Sequence, residues 1–206
     1  MKNTNTSNAD TIKCRFIDYF INKPTLTCIG NEIMYGIDKK VADLIFLANG
    51  KTYAVEIKSS SDNLKKLDDQ IKAYRCVFDY VIIVTTEKHL SNVINSVDTS
   101  IGIYIIANDL SVKKIRTQKQ QTVLDKLSLL STINGNYIRK IVGNSDNSSD
   151  EIREILLKKS KLFLKNLLYN YLFERLSLQY KLFLSEKGEI TNEDDLGSLS
   201  NHIFLK

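Results

Sequence analysis

Hydrophobic and polar positions along the first half of the chain switch between helical spacing and strand-like runs. Apolar residues at helical spacing predict a first helix over 10–21, capped by Asn8 or Asp10, and a strand is predicted over 25–35. Further along, two continuous apolar runs are typical of strands buried on both faces. The pattern predicts these two strands at 80–85 and 101–107, with helices at 64–78 and 88–97.

Between the first strand and the second helix, two strand-like runs flank Asn49-Gly50. The runs are Val41–Ala48 and Lys51–Lys58. Asn-Gly is a strong signal for a two-residue hairpin turn, because both central positions need a positive φ. The turn predicts that Ala48 pairs with Lys51, and the same register carries on along both strands.

That register places three candidate catalytic side chains on one face of the hairpin. Asp43 falls opposite Glu56, and Lys58 lies two residues further along the same strand. Carboxylates paired directly across a ladder repel each other. A divalent cation beside the lysine would explain the pair, whereas exposed and solvated acids are the alternative.

Residues 1–110 therefore predict an α/β core with a mixed sheet flanked by helices, and residues 111–206 predict a basic helical extension. The extension is either packed on the core or semi-independent. A polar linker is expected over 143–150, with a helix cap at Ser149 or Asp150. The following apolar stretch, 151–184, is expected to be heavily packed or broken in two.

Composition narrows the class of protein. The 206-residue chain is 43% hydrophobic, and its three cysteines have no metal-ligand spacing. The cysteines are therefore predicted to be reduced thiols. The N-terminus is polar and no apolar run is long enough to span a membrane, so a cytoplasmic location is predicted. Residues 112–187 hold 15 Lys/Arg against 7 Asp/Glu. This excess suits a polyanionic partner such as nucleic acid, or a solvated helical face.

The pattern of Asp43, a hairpin and Glu56-Ile-Lys58 resembles the PD-(D/E)xK nuclease superfamily. Gln70-Ile-Lys-Ala-Tyr74 resembles the Gln-x-x-x-Tyr motif of its RecB-type exonuclease domains. The wider run from Val55 to Asp79 is similar to the uncharacterised bacterial sce7726 group of that superfamily. Ala42 stands where the superfamily motif has proline, and Glu32 fits an acid found upstream of the metal aspartate in that group.

This resemblance implies a restriction-endonuclease-like fold and a metal-dependent nuclease that leaves 5′-phosphates, with DNA favoured over RNA. It implies Mg²⁺ or Mn²⁺ held by Asp43, Glu56 and the backbone carbonyl of Ile57. A homodimer is left open. An inactive or vestigial nuclease fold, serving as a nucleic-acid-binding or protein-interaction module, is the alternative. The catalytic candidates are Asp43, Glu56, Lys58, Gln70 and Glu32, and the nucleic-acid-binding candidates are Lys40, Lys65, Lys66, Lys72 and Tyr74.

Overall fold

The computed structural model describes residues 8–143 and 147–200. Within these residues the chain forms a six-stranded mixed sheet with helices packed on both faces. The elements in chain order are α1 Ala9–Ile21, β1 Leu26–Tyr35, β2 Lys40–Ala48, β3 Lys51–Lys58, α2 Leu67–Val77, β4 Tyr80–Thr86, α3 Glu87–Ser96, β5 Gly102–Ile106, β6 Val112–Arg116, α4 Lys126–Thr132, α5 Gly135–Val142, α6 Ser149–Leu157, α7 Lys161–Glu186 and a final 3₁₀ helix, Glu193–Leu199.

The strands lie in the sheet in their order along the chain, from β1 to β6. β1, β2 and β3 are antiparallel neighbours, whereas β3, β4 and β5 run parallel to one another. Parallel neighbours need a crossover, and here α2 and α3 supply it. The predicted α/β class, with parallel strands joined by helices, is confirmed.

The hairpin forms with the predicted register. Asn49 and Gly50 have φ values of 51° and 68°, as a two-residue turn of this kind requires. Ala48 pairs with Lys51, and the recorded ladder runs on to Leu44 and Val55. Asp43 and Glu56 are the next residues beyond that last pair. Local turn chemistry alone therefore brings the two carboxylate-bearing positions to the same end of the sheet.

Opposite faces of the sheet are covered by α1 and α7. On one face, the ring of Phe46 in β2 stacks on Phe16 of α1 with centroids 5.7 Å apart. Ile29 of β1 pairs with Phe46, so the next residue, Gly30, faces the other side. A Cβ at Gly30 would lie 2.7 Å from a methyl of Leu176, which places α7 directly against β1.

Beyond residue 110, the region predicted as a basic helical extension begins with a strand that the sequence analysis did not predict. Val112–Arg116 forms β6, an edge strand antiparallel to β5, so the predicted boundary at 110 falls between two paired strands. The sequence Val-Lys-Lys-Ile-Arg escapes a strand assignment because charged residues, which protect sheet edges, break its apolar pattern. The stretch predicted at 151–184 is indeed broken in two, as α6 and α7.

The caps of the later helices explain where they begin and end. Ser148 caps α6 through a reciprocal pair of hydrogen bonds with Glu151, so the cap precedes both predicted positions, Ser149 and Asp150. Ser160 caps α7. Gly143 ends α5 at a φ of 67°, a conformation that favours glycine. The remainder of the predicted linker lies partly outside the described residues, at 144–146.

After α7 the chain returns to the first elements. The backbone N–H and hydroxyl of Thr191 donate to the Asp18 carboxylate of α1. Asn31 of β1 donates its side-chain amide to the Ser200 hydroxyl at 2.8 Å, and the two residues also form an isolated β-bridge. Residues far apart in the sequence therefore complete one edge of the sheet.

Among the described helices, none is long and apolar enough to cross a membrane. The three cysteines are free thiols, two of them buried.

Candidate functional site

The candidate site lies where β2 and β3 separate. Beyond the pair of Leu44 and Val55, the backbone ladder is replaced by a side-chain contact. Oδ2 of Asp43 accepts a hydrogen bond from the backbone N–H of Ile57 at 2.7 Å. The Asp43 side chain therefore ties the two strands together at the point where their backbone pairing ends.

Glu56 is the centre of a hydrogen-bonded cluster and is 1% exposed. Its Oε1 accepts from Lys58 Nζ at 2.7 Å and from Gln70 Nε2. Its Oε2 accepts from the Tyr74 hydroxyl at 2.6 Å. Lys58 Nζ also donates to Gln70 Oε1 at 3.0 Å. Three of the predicted catalytic residues, together with Tyr74, therefore meet in one network.

The helix α2 is positioned to supply two of these groups. Gln70 and Tyr74 are four residues apart, so both side chains lie on the same side of the helix. A tight turn joins β3 to the segment before α2, because Asp62 accepts from the backbone N–H and the hydroxyl of Ser59, both at 2.7 Å. The polar Ser59–Asp62 segment thus fixes how α2 returns over the end of β3.

The pKa of Asp43 is raised by its surroundings. Burial, followed by repulsion from Glu56, raises the pKa of Asp43 from 3.8 to about 7. The Ile57 N–H and the charges of Lys13 and Lys58 oppose this rise. The two carboxylates are therefore close enough to interact, and the nearby lysines compensate their charge only in part.

Two stacked tyrosines, Tyr35 and Tyr74, line one side of the site. The rings of Tyr35 and Tyr74 are 5.0 Å apart between centroids and nearly parallel. Burial, and then the charge of Glu56, raises the pKa of both hydroxyls, so both stay protonated as hydrogen-bond donors. The sequence alone does not identify Tyr35 as part of the site, because its contact with Tyr74 depends on how α2 packs against the sheet.

Glu32 is placed beside the site rather than in the Glu56 network. It has a φ of 54° within β1, and its side chain is 48% exposed. Its carboxylate pairs with Lys13 Nζ of α1 at 3.2 Å. Lys13 is buried and its charge also reaches Asp43, so it links Glu32 to the carboxylate pair. A lysine on the apolar stripe of α1 is the sequence signal that could have revealed this contact.

The donor chemistry fits a hard divalent cation that keeps several ligands of its own. No cluster of three or more His, Cys, Asp or Glu residues suited to a metal occurs in the described part of the chain. Asp43, Glu56 and the backbone at Ile57 offer oxygen atoms only, and Mg²⁺ commonly binds through one or two carboxylates plus water and phosphate. Lys58, Gln70 and Tyr74 occupy three of the roughly four acceptor positions of the Glu56 carboxylate.

The predicted nucleic-acid-binding residues fall into different settings. Lys40 and Lys72 line a cavity of about 380 Å³ between α2 and the turn from β1 to β2, with Tyr35 in its wall. Lys65 and Lys66 are exposed just before α2. Tyr74 is fully buried, so its ring is not available to nucleic acid. Its hydroxyl donates a hydrogen bond to Glu56.

Fold and site together define an α/β protein whose mixed sheet carries a buried glutamate, a half-buried aspartate, a lysine and a glutamine at one end. Residues 1–200 match the family described as Bacteriophage P4 protein cII, and the chain belongs to this family. It is 31% identical to Protein cII of Enterobacteria phage P4 over 119 residues, which cover 57% of this chain and 45% of that protein. The match therefore spans less than half the length of that relative.

A solved structure, the SPO1766 protein of unknown function from Silicibacter pomeroyi, aligns with 91% of this chain and 98% of its own. The TM-score is 0.45 and the sequence identity is 13%.

Proposed function

We propose that this protein is a metal-dependent nuclease with a restriction-endonuclease-like core, acting on DNA in preference to RNA. The observation that carries the proposal is the convergence of Asp43, Glu56, Lys58 and Gln70 at the point where β2 and β3 separate. These are the residue types, in the same order along the chain, that the resemblance to PD-(D/E)xK nucleases assigns to the active site.

Asp43 and Glu56, with the carbonyl of Ile57, would hold Mg²⁺ or Mn²⁺. A bound cation would supply Lewis-acid stabilisation of the scissile phosphate. Holding a cation would also relieve the repulsion that raises the pKa of Asp43 to about 7. The two carboxylates repel each other in the metal-free site, and their function would be to bind the cation.

Lys58 is oriented by its two neighbours. Of the three N–H donors of its ammonium, one is given to Glu56 and one to Gln70. The third is available to the attacking water or to a phosphate oxygen, where it would stabilise developing negative charge. Gln70 donates to Glu56 and accepts from Lys58, so it fixes the positions of both.

The reaction adds water across a phosphodiester bond. The water oxygen forms a bond to phosphorus while the bond from phosphorus to the 3′ oxygen breaks. The products are a 5′-phosphate, as the resemblance implies, and a 3′-hydroxyl that gains the proton. Positioning and electrostatic stabilisation account for most of the catalysis expected from such a site.

A binding module of the same fold is the second candidate, and one observation favours it. Lys58, Gln70 and Tyr74 already satisfy most of the Glu56 carboxylate without a cation. In that case the cluster serves to hold α2 onto the end of β3, and nucleic acid is bound without being cut.

Cleavage assays separate the two candidates. Labelled single-stranded DNA, double-stranded DNA and RNA are incubated with Mg²⁺, Mn²⁺ or EDTA and either wild type, Lys58→Ala or Lys51→Ala. Lys51 lies at the opposite end of β3 and serves as the matched control. We expect metal-dependent cleavage that falls at least about 100-fold in Lys58→Ala and is unchanged in Lys51→Ala.

Cleavage that persists in EDTA, or that Lys58→Ala leaves unchanged, would contradict the proposed site. Absence of cleavage on all substrates, with salt-sensitive binding retained, would favour the binding module.

A further inference from the structure

A second concave surface lies on the other side of the turn from β1 to β2. We call it the basic groove, and its volume is about 700 Å³. Among the described residues, four cationic side chains and no Asp or Glu line it. Two tyrosines complete the wall. These cationic and aromatic residues are Lys39, Lys140, Arg153, Arg175, Tyr137 and Tyr171.

The fold holds two of these cations firmly. The Arg153 guanidinium donates to the backbone carbonyls of Leu130 and Ile133, and its side chain is 19% exposed. The guanidinium of Arg175 lies over the Tyr171 ring, 5.9 Å from its centroid, and donates to the Tyr171 hydroxyl. Groups fixed in this way lose little conformational entropy when an anion binds.

The other two cations are attached more loosely. Lys39 Nζ donates to the backbone carbonyl of Ser131 at 3.0 Å. Lys140 is exposed and approaches Glu174 at 3.7 Å, and Glu174 also accepts from the Tyr137 hydroxyl. An exposed ion pair of that length contributes little stability, so Lys140 can turn towards a phosphate at small cost.

Acidic groups lie near the groove but do not cancel its charge. Glu174 faces Lys140, and the exposed Asp150 pairs with Arg153 at 3.0 Å. Neither of these two carboxylates is among the described residues that line the groove. The first turn of α5, which begins at Asn134 and Gly135 in the groove wall, contains no acidic residue. The positive end of the α5 dipole adds to the attraction for anions.

Two residues that line the groove adjoin, along the chain, residues at or near the candidate active site. Met34 lines the groove, and the next residue, Tyr35, stacks on the Tyr74 that donates to Glu56. Lys39 lines the groove as well, and its neighbour Lys40 lines the smaller cavity on the α2 side. Basic side chains thus continue across the turn from one concave surface to the other.

We propose that the basic groove binds the phosphate backbone of the nucleic acid that the carboxylate site cleaves. The proposal rests on the proposed function for the identity of the polyanion, but binding in the groove requires neither metal nor hydrolysis. Arg153 and Arg175 contact phosphate oxygens from fixed positions, while Lys39 and Lys140 adjust to the strand. The aromatic wall formed by Tyr137 and Tyr171 lies beside the bound backbone.

The test is fluorescence anisotropy of labelled single- and double-stranded DNA in EDTA, over a range of salt concentrations. Wild type is compared with the double variant Lys140→Ala/Arg175→Ala. The matched control is Lys113→Ala/Lys114→Ala, which removes two exposed lysines from β6 at the far edge of the sheet. A charge-conserving variant, Lys140→Arg/Arg175→Lys, separates lost charge from lost packing.

We expect the groove variant to bind at least about tenfold more weakly, and its salt slope to fall by about 1 to 2. The β6 variant and the charge-conserving variant should bind like wild type. Equal binding by the groove variant, or equal losses in the groove and β6 variants, would overturn the proposal. If the protein cuts no substrate yet binding still depends on the groove, the nuclease proposal fails while the groove stands.

Discussion

Oδ2 of Asp43 accepts the backbone N–H of Ile57 at 2.7 Å, at the point where the ladder between β2 and β3 ends. A side-chain oxygen thus takes over from backbone pairing. The contact brings Asp43 against Glu56, and burial together with that charge raises its pKa to about 7. The hydrogen bond that joins the two strands therefore also holds Asp43 where it is repelled by Glu56.

That cost predicts how stability depends on pH. Folded protein keeps a proton on Asp43 up to about pH 7, whereas the unfolded chain loses it near the ordinary value of 3.8. The free energy of unfolding of the metal-free protein should therefore fall as pH rises between these values. Asp43→Asn keeps an acceptor for Ile57 but carries no charge. At pH 8 we expect it to be more stable than wild type by about 1–2 kcal/mol, and the difference to shrink towards pH 4.

Urea denaturation in EDTA at several pH values measures this difference, and calorimetry with Mn²⁺ measures binding. Asp38→Asn, in the exposed turn before β2, is the matched control and should show no such trend. Cation binding should be lost in Asp43→Asn. A variant less stable than wild type at pH 8 that still binds Mn²⁺ would show that the carboxylates are not paired ligands.

Tyr74→Phe tests the buried donor to Glu56. Removal of the hydroxyl leaves Oε2 of a buried carboxylate without the bond it now accepts at 2.6 Å. We expect a loss of about 1–3 kcal/mol in the free energy of unfolding, measured by urea denaturation at pH 7.5. Tyr53→Phe, in the stacked pair with Tyr80, is the control. Equal effects of the two variants would mean that the Tyr74 hydroxyl contributes nothing specific.

Gly30→Ala tests the packing of α7 on β1. A Cβ at Gly30 would lie 2.7 Å from a methyl of Leu176, so helix and strand would have to separate slightly. We expect destabilisation of about 1–3 kcal/mol, as for other overpacked cores. Gly188→Ala, where a Cβ meets nothing within 4 Å, should be close to neutral. Comparable melting temperatures for the two variants would count against tight packing of α7 on β1.

Local chemistry made part of the site predictable. The Asn49-Gly50 turn fixes the register of the hairpin, and the register alone places Asp43 and Glu56 at the same end of it. The spacing of Gln70 and Tyr74 likewise places both on one side of α2. These inferences need only contacts between residues near one another in the sequence.

Other features depend on docking between distant elements, which local patterns do not encode. Lys13 reaches Glu32 and the charge of Asp43 only because α1 packs beside β1 and β2. A positive φ is uncommon for residues other than glycine, so the identity of Glu32 does not predict its backbone conformation. The strand β6 escaped detection because its charged residues match an edge strand and a basic loop equally well.

The bridge between Asn31 and Ser200 has a consequence for the synthesis of the protein. β1 emerges from the ribosome well before α7 and the 3₁₀ helix that cover it. Until then, the face of β1 around Gly30 has no partner, and its apolar surface is open to chaperones or to other chains. β1 can therefore be covered only after almost the whole described chain has been translated. Premature termination within α7 would leave the β1 edge of the sheet exposed.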